Sequence, residues 1–361
     1  YTIQVLWDTD KHSDIIEWSI EIKSIPSLIQ NTQVSKILSS WTTEIVLSSD
    51  DNTDLKKSTY ELSFSNNPLG GIAKIIKSLA VYPYGCGEQL LSSTLPNTIV
   101  KQFSTLLIAT DLDASVVETN IEAGLEKIYA LALDNGWFWY WQWDTSANIH
   151  ITAYAVRVLL AIQDTGTEVD QDILKNAVSY LEKEYAALSW YEKTETLWAL
   201  AEYHGDKTES VINIWDLSLE QNKDSYYIND NHNLIAYTYA LVLVNPEKFK
   251  SIIELNIDTI EKNIVNGYEG SYYYNSLSDT AEFAQLLMEY NYDEDLITTY
   301  IKKLYNRDWE SYWYSTKTKN TAFGAFATYI EKYGANQISE LSFKLNGEEK
   351  SLILWGENSN I

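Results

Sequence analysis

The sequence predicts a mainly α-helical fold, a closed double ring of helices inserted into a small β domain. Three observations predict it. Strand-like alternation occupies both ends of the chain, helical periodicity fills the middle, and an aromatic turn followed by a helix rich in small residues recurs along that middle.

The first residues read as strands. Tyr1–Trp7 and Ile15–Ile22 are β-rich, and Trp41–Leu47 and Tyr60–Phe64 continue the pattern around a polar loop, Ser48–Lys57. Asn66, Asn67, Pro68, Gly70 and Gly71 punctuate the chain and mark a boundary. From there to about Tyr333 the period is helical. Amphipathic segments centre near Ile75, Leu91, Leu125, Ala155, Ala177, Leu197, Ile212, Ala236, Ile253, Ala284, Ile297 and Ala325. Stops are expected at Pro96, Gly166, Gly205 and Gly334. The tail returns to strands, Glu340–Leu345 and Ser351–Trp355, joined at Asn346–Gly347, a hairpin signal. The expected domains are therefore residues 1–66 (β, first part), 67–335 (helical ring) and 336–361 (β, second part).

The repeat supplies the ring. Gly136–Trp141, Ser189–Tyr191, Ser225–Tyr227, Ser271–Tyr274 and Ser311–Tyr314 each precede a helix with a marked alanine: Ala153, Ala199, Ala236, Ala281 and Ala322. Those alanines are 46, 37, 45 and 41 residues apart, which suits one helix hairpin per repeat. Six such hairpins can close as an inner and an outer ring of six helices, with small residues letting the inner helices crowd together. An open solenoid would show the same spacing.

Bulk composition narrows the function. The chain has 361 residues, 45% of them hydrophobic, enough for a sizeable core. Acidic side chains number 51 against 26 basic, a net charge of −25, so nucleic acid and anionic membranes are poor partners. No apolar run approaches the ~20 residues that span a bilayer, and no signal peptide is visible. The chain begins at Tyr1, which suggests a mature or excised segment. It has 13 Trp and 27 Tyr, but only one Cys and one Met. The lone cysteine cannot form an intramolecular disulfide.

That cysteine, Cys86, lies in Tyr82-Pro83-Tyr84-Gly85-Cys86-Gly87-Glu88-Gln89, just before a helical run. A helix N-terminus stabilises a thiolate. Gln89, three residues on, shares its helical face. Gly85 and Gly87 allow close backbone approach. A thiolate beside a carboxamide carbon can attack it, expel ammonia and leave a thioester, with first-turn N–H groups stabilising the oxyanion. A buried free cysteine beside an ordinary glutamine is the bland alternative.

The full string resembles the thioester motif of the α2-macroglobulin and complement family, and Gly85-Cys86-Gly87-Glu88-Gln89 matches its pentapeptide throughout. Tyr82-Pro83-Tyr84 looks like the bacterial members. Leu95-Pro96-Asn97 and the Trp137 turn followed by Ile151-Thr152-Ala153-Tyr154-Ala155 are similar too. The resemblance implies an α6/α6 toroid, the thioester domain, inserted in a small β-sandwich of CUB type. It implies a Cys86–Gln89 thioester that captures proteinases through lysine amines after conformational activation. That would make the protein a single-use covalent trap rather than an enzyme. It further implies a periplasmic or extracellular setting, a parent with further domains, and no cofactor.

Some relatives use a histidine to convert the thioester to an acyl-imidazole. Here the corresponding stretch, Trp190–Trp198, has Tyr191, Glu192, Lys193 and Glu195 but no histidine, and His204 lies beyond, at a helix end. Amines are then the favoured targets. Tyr82, Tyr84, Gly85, Gly87, Glu88 and Trp137 are expected to line or shield the bond, because water must be kept from it. The histidines His12, His150, His204 and His232 show no metal-ligand spacing. Two other readings remain: a carbohydrate-active enzyme using Asp144, Glu195, Asp279 or Glu282 in an aromatic cleft, and a thioester adhesin.

Overall fold

The computed structural model describes residues 2–9, 12–19, 63–64, 77, 79–103, 112–141, 144, 148–214, 230–265, 276–305, 315–333, 339–345, 348–354 and 359–360. The chain forms two compact units, Tyr1–Leu47 and Ser48–Ile361.

In the first unit, β1 (Thr2–Thr9) and β2 (His12–Ser19) pair antiparallel, from Thr2 opposite Ser19 to Thr9 opposite His12. The tight connection sets that register. It draws the second strand three residues earlier than the expected Ile15–Ile22. The expected strand Trp41–Leu47 and the loop after it lie outside the described residues.

The second unit holds ten α-helices among the described residues. They are α1 (Gly87–Gln102), α2 (Ala114–Leu131), α3 (Ile149–Asp164), α4 (Gln171–Glu184), α5 (Trp190–His204), α6 (Asn231–Val244), α7 (Lys250–Val265), α8 (Ser276–Glu289), α9 (Glu294–Tyr305) and α10 (Thr316–Tyr333). Polar side chains start many of them. Asp113, Asn148, Asp170 and Asp230 each accept a backbone N–H of the following turn. Ser189 and Glu192 form a capping box. Gly205 ends α5 at φ +58, where its N–H returns to the Ala201 carbonyl.

Burial separates two layers. On α4 only Leu174, Ala177, Val178 and Leu181 are buried, one stripe at helical spacing. On α6 nearly the whole circumference is buried. The all-round buried helices make the inner layer. In it α1 packs beside α3, α3 beside α5, α5 beside α6, α6 beside α8, α8 beside α10, and α10 returns to α1. The ring is therefore closed. Outside it, α2 packs on α1, α4 on α3 and α5, α7 on α6, and α9 on α8. Polar seams tie the inner helices. Thr194 Oγ1 of α5 donates to Asn233 Oδ1 of α6 at 2.7 Å, and Ser278 Oγ of α8 donates to Thr318 Oγ1 of α10 at 3.2 Å. Ala153, Ala199, Ala236, Ala281 and Ala322 are all buried at inner positions, as the repeat predicts.

Crowding of this kind has a measurable consequence. Ala199→Leu on α5 should cost about 1–3 kcal/mol by overpacking. Ala130→Leu, exposed on outer helix α2, should stay within about 0.5 kcal/mol. Urea unfolding of both variants checks the assignment of layers.

Three expectations are corrected. Pro96 does not end a helix; it lies buried inside α1, where packing carries the helix past the missing N–H. The described residues up to Ile214 near Ile212 are not α-helical: Gly205–Ser210 is a 3-10 helix, and the chain then turns, with Val211 N–H on the Thr208 carbonyl, while 215–229 lie outside the described residues. Trp190 and Tyr191 do not form a turn before α5 but its first turn, because Ser189 caps the helix. The turns at 225–227, 271–274 and 311–314 and most of the segment near Ile75 lie outside the described residues.

The remaining strands are β3 (Ser63–Phe64), β4 (Ser339–Leu345), β5 (Glu348–Leu354) and β6 (Ser359–Asn360). β4 and β5 pair antiparallel with Leu345 opposite Glu348, the register of the expected two-residue hairpin. β3 pairs with β6, Ser63 opposite Asn360, so segments on either side of the helical ring meet. The described strands form three two-stranded sheets. Among the described residues no helix is long and apolar enough to cross a membrane.

Candidate functional site

Cys86 is the N-cap of α1, with extended backbone (φ −72, ψ 170), and is buried at 5% exposure. Gln89 is the third residue of the helix and is exposed. The two face each other as a capping box. The Gln89 backbone N–H points at the Cys86 sulfur, a weak acceptor, and the Cys86 backbone N–H donates to Gln89 Oε1 at 3.2 Å. The second contact polarises the Gln89 carbonyl and stands where a donor would hold an oxyanion if sulfur attacked Cδ.

Gly85 is required by its backbone and surroundings, and Gly87 is closely packed. Gly85 has φ +113, and a Cβ there would lie 2.3 Å from Gln89 Oε1 and 3.1 Å from Gln89 Cδ. A Cβ on Gly87 would meet the Trp139 carbonyl oxygen at 3.0 Å and Ile151 Cγ2 at 3.3 Å. Gly87 N–H donates to the Tyr140 carbonyl at 2.8 Å, so the aromatic turn before α3 grips the start of α1. Trp137 and Trp139 meet edge to face within that turn at 6.4 Å. Trp137 is half-buried. Tyr82 and Tyr84 stand out to solvent, 51% and 72% exposed, beside the exposed Val81 and Trp141. Lys127 of α2 donates to the Pro83 carbonyl and lies 4.1 Å from the centre of the Tyr82 ring, which ties the turn to the outer layer. Glu88 points the other way from Gln89: its carboxylate accepts from Ser92 Oγ at 2.8 Å.

A second cluster lies at the same end of the ring, where the inner helices have their N-termini. His232 of α6 is buried between two carboxylates, Glu282 Oε2 of α8 at 2.6 Å from Nδ1 and Glu195 Oε1 of α5 at 2.9 Å from Nε2. Glu195 Oε2 also meets His150 Nδ1 of α3 at 2.6 Å, and Lys317 of α10 approaches Glu195 at 3.9 Å. Burial alone would lower His232, but the Glu282 charge and the hydrogen bonds to both carboxylates raise it to about 9. Burial would raise Glu195, but hydrogen bonds from His150 and His232 outweigh it and hold the carboxyl well below its usual range. Asp279 of α8 is pushed well above that range by burial, then by the neighbouring Glu282 charge.

The carboxylates proposed for sugar chemistry are thus separated in role. Glu195 and Glu282 are engaged by His232, Asp279 is 1% exposed, and Asp144 accepts from the Trp141 N–H in the aromatic turn. His204 closes α5 at the far end, roughly 20 Å along the helix from its start, where it meets Glu182 of α4 at 2.6 Å. No metal-binding group of three His, Cys, Asp or Glu is found among the described residues. Sequence reasoning treated the histidines as scattered and missed the partners of His150 and His232. The signal was a polar stripe on otherwise apolar helices, His150–Tyr154–Arg157 on α3 and Glu195–Trp198–Glu202 on α5.

A cysteine–glutamine capping box therefore starts α1 of the closed helical ring, and the comparisons place its surroundings beside thioester domains. Residues 61–211 match the family model of the A-macroglobulin TED domain. The relatives are bacterial alpha-2-macroglobulins, the branch that the sequence already resembled. The chain is 30% identical over 116 residues to alpha-2-macroglobulin of Escherichia coli (strain K12), covering 32% of this chain and 7% of that protein. It is 22% identical over 286 residues to alpha-2-macroglobulin of Thermotoga maritima, covering 77% and 16%. The chain therefore spans a small fraction of the length of these relatives. Among solved structures, native alpha-2-macroglobulin from Escherichia coli, from domain MG7 to the C-terminus, matches with TM-score 0.64 at 20% identity, over 83% of this chain and 48% of that one. Salmonella alpha-2-macroglobulin reacted with methylamine matches with TM-score 0.61 at 19% identity, over 83% and 20%. At these identities the structures speak for the fold.

Proposed function

We propose that Cys86 and Gln89 form an internal thioester, and that the chain is the covalent trap of an alpha-2-macroglobulin-like proteinase inhibitor. The observation that carries this reading is the Cys86 N–H on Gln89 Oε1, within a string that matches the family pentapeptide at every position. Cys86 sulfur bonds to Gln89 Cδ, the C–N bond breaks, and ammonia leaves with the thiol proton. In capture, a target amine attacks Cδ, an amide forms, and Cys86 departs as a thiol carrying a proton from the amine. Each molecule reacts once, so the chain is not an enzyme in the usual sense. Lysine amines of an attacking proteinase are the favoured targets, since no histidine occurs in Trp190–Trp198.

The parent protein would supply the domains that cover Tyr82, Tyr84 and Trp137 until activation. It would act in the periplasm or outside the cell. The β segments 1–66 and 336–361 would form a CUB-type domain around the helical ring of 67–335, a reading supported by the pairing of β3 with β6.

Intact mass with thiol titration tests the central claim. Native protein should weigh one ammonia less than its sequence and show no titratable thiol until methylamine is added. Methylamine should then release one thiol per chain. A fully titratable Cys86 in native protein at full mass would sink the proposal.

A further inference from the structure

One feature of the reactive turn points inward. Glu88 stands directly before Gln89, yet its carboxylate is turned into the ring, where Ser92 Oγ donates to Glu88 Oε1 at 2.8 Å. Ser92 Oγ in turn lies 3.2 Å from the Tyr154 hydroxyl of α3, and Asn320 Nδ2 of α10 donates to that hydroxyl at 3.2 Å. A hydroxyl has one hydrogen to give. Ser92 gives its hydrogen to Glu88, so the Tyr154 O–H must donate to Ser92, and Asn320 N–H fills the tyrosine's acceptor side. The direction of the chain is fixed: α10 to α3 to α1, ending on the carboxylate next to Gln89. Ser92 and Asn320 are buried. Burial pushes the tyrosine up to about 12, so it remains a proton donor at ordinary pH.

The consequence concerns water. A carboxylate free to turn toward the Cys86–Gln89 bond would be a ready general base for its hydrolysis. Resting on the thioester reading, we propose that Tyr154 is a positioning residue: through Ser92 it holds Glu88 facing the ring and keeps that base away from Gln89 Cδ.

The test measures the rate at which the thioester disappears in buffer, by intact mass and thiol release, in the full chain. Tyr154→Phe removes the hydroxyl and keeps the ring; Ser92→Ala cuts the same chain at another point and serves if the first variant folds poorly. Near-UV circular dichroism checks the fold. Either variant should lose its thioester roughly tenfold faster or more, as expected when a general base gains access. The acceleration should vanish when Glu88→Gln is added, because the base is gone. A merely structural role for Tyr154 would accelerate loss equally in both backgrounds, and that result overturns the proposal. Wild-type decay in both folded single variants also overturns it. A wild-type chain of full mass with a titratable Cys86 overturns the proposal together with the thioester reading, and is recognised before any substitution is made.

Discussion

Gly85→Ala should abolish the thioester while leaving the fold in place. The new methyl would lie 2.3 Å from Gln89 Oε1 and 3.0 Å from Gln89 Cβ, far inside van der Waals contact. The obstacle is the carboxamide itself, so the side chain that must bond to Cys86 is the one driven away. The backbone adds its own penalty. At φ +113 an alanine is strained, at a cost of about 1–3 kcal/mol. Gly85 is exposed and precedes α1, so this strain stays outside the ring core. Intact mass should show full mass, and thiol titration should find Cys86 free without methylamine. Cys86→Ala should remove covalent capture as completely, with no comparable change in backbone strain. A Gly85→Ala protein that still lacks one ammonia would refute the carboxamide geometry described for Gln89.

His232→Ala should strongly destabilise the ring. It would leave Glu195 and Glu282 buried on neighbouring helices without the cation between them. Breaking a buried charge pair from one side costs about 3–5 kcal/mol. Denaturant unfolding at pH 6 would measure it. The wild-type pH profile follows from the same groups. His232 is raised from 6.5 to about 9, so its contribution is complete below pH 6.5 and is lost as pH rises through about 9. Glu195 is held below 4.5, so its contribution is present above that value and is lost as pH falls further. Asp279 is raised, so the folded state loses ground as pH climbs above 3.8 and the unfolded carboxyl ionises. His150, Lys317 and Arg157 face the same cluster from α3 and α10. Stability should therefore peak in the mildly acidic range and decline toward pH 9. A profile in His232→Gln that declines as steeply between pH 7 and 9 would remove His232 as the cause.

Much of the site was legible because its chemistry is local. Cys86 and Gln89 are three residues apart at a helix start, so helix geometry alone brings the carboxamide to the cysteine. The inner layer was legible too. Ala153, Ala199, Ala236, Ala281 and Ala322 recur because helices buried on all sides can approach closely only through small residues. Local rules failed where packing overrode them. Pro96 breaks an isolated helix, but inside a buried α1 the surrounding contacts outweigh one missing hydrogen bond. The described residues leading to Ile212 continue a helical apolar pattern yet turn after one short 3-10 stretch.

The sequence by itself determined the pairing of Cys86 with Gln89, the layered helical architecture and the family it resembles, because each rests on spacing within a few residues or on a repeated spacing along the chain. Tertiary structure decided that the ring closes, α10 against α1, where an open solenoid would carry the same repeat. It also decided the direction of Glu88 and the bracing of His232. The first depends on Tyr154 meeting Ser92 across 62 positions and Asn320 across 166, the second on His232 meeting Glu195 across 37 and Glu282 across 50, contacts that no local pattern encodes. Hydrogen bonds between inner helices exist only once the ring has brought their N-termini together, and that is why the surroundings of Cys86 and Gln89, unlike the pairing itself, could be read only from the fold.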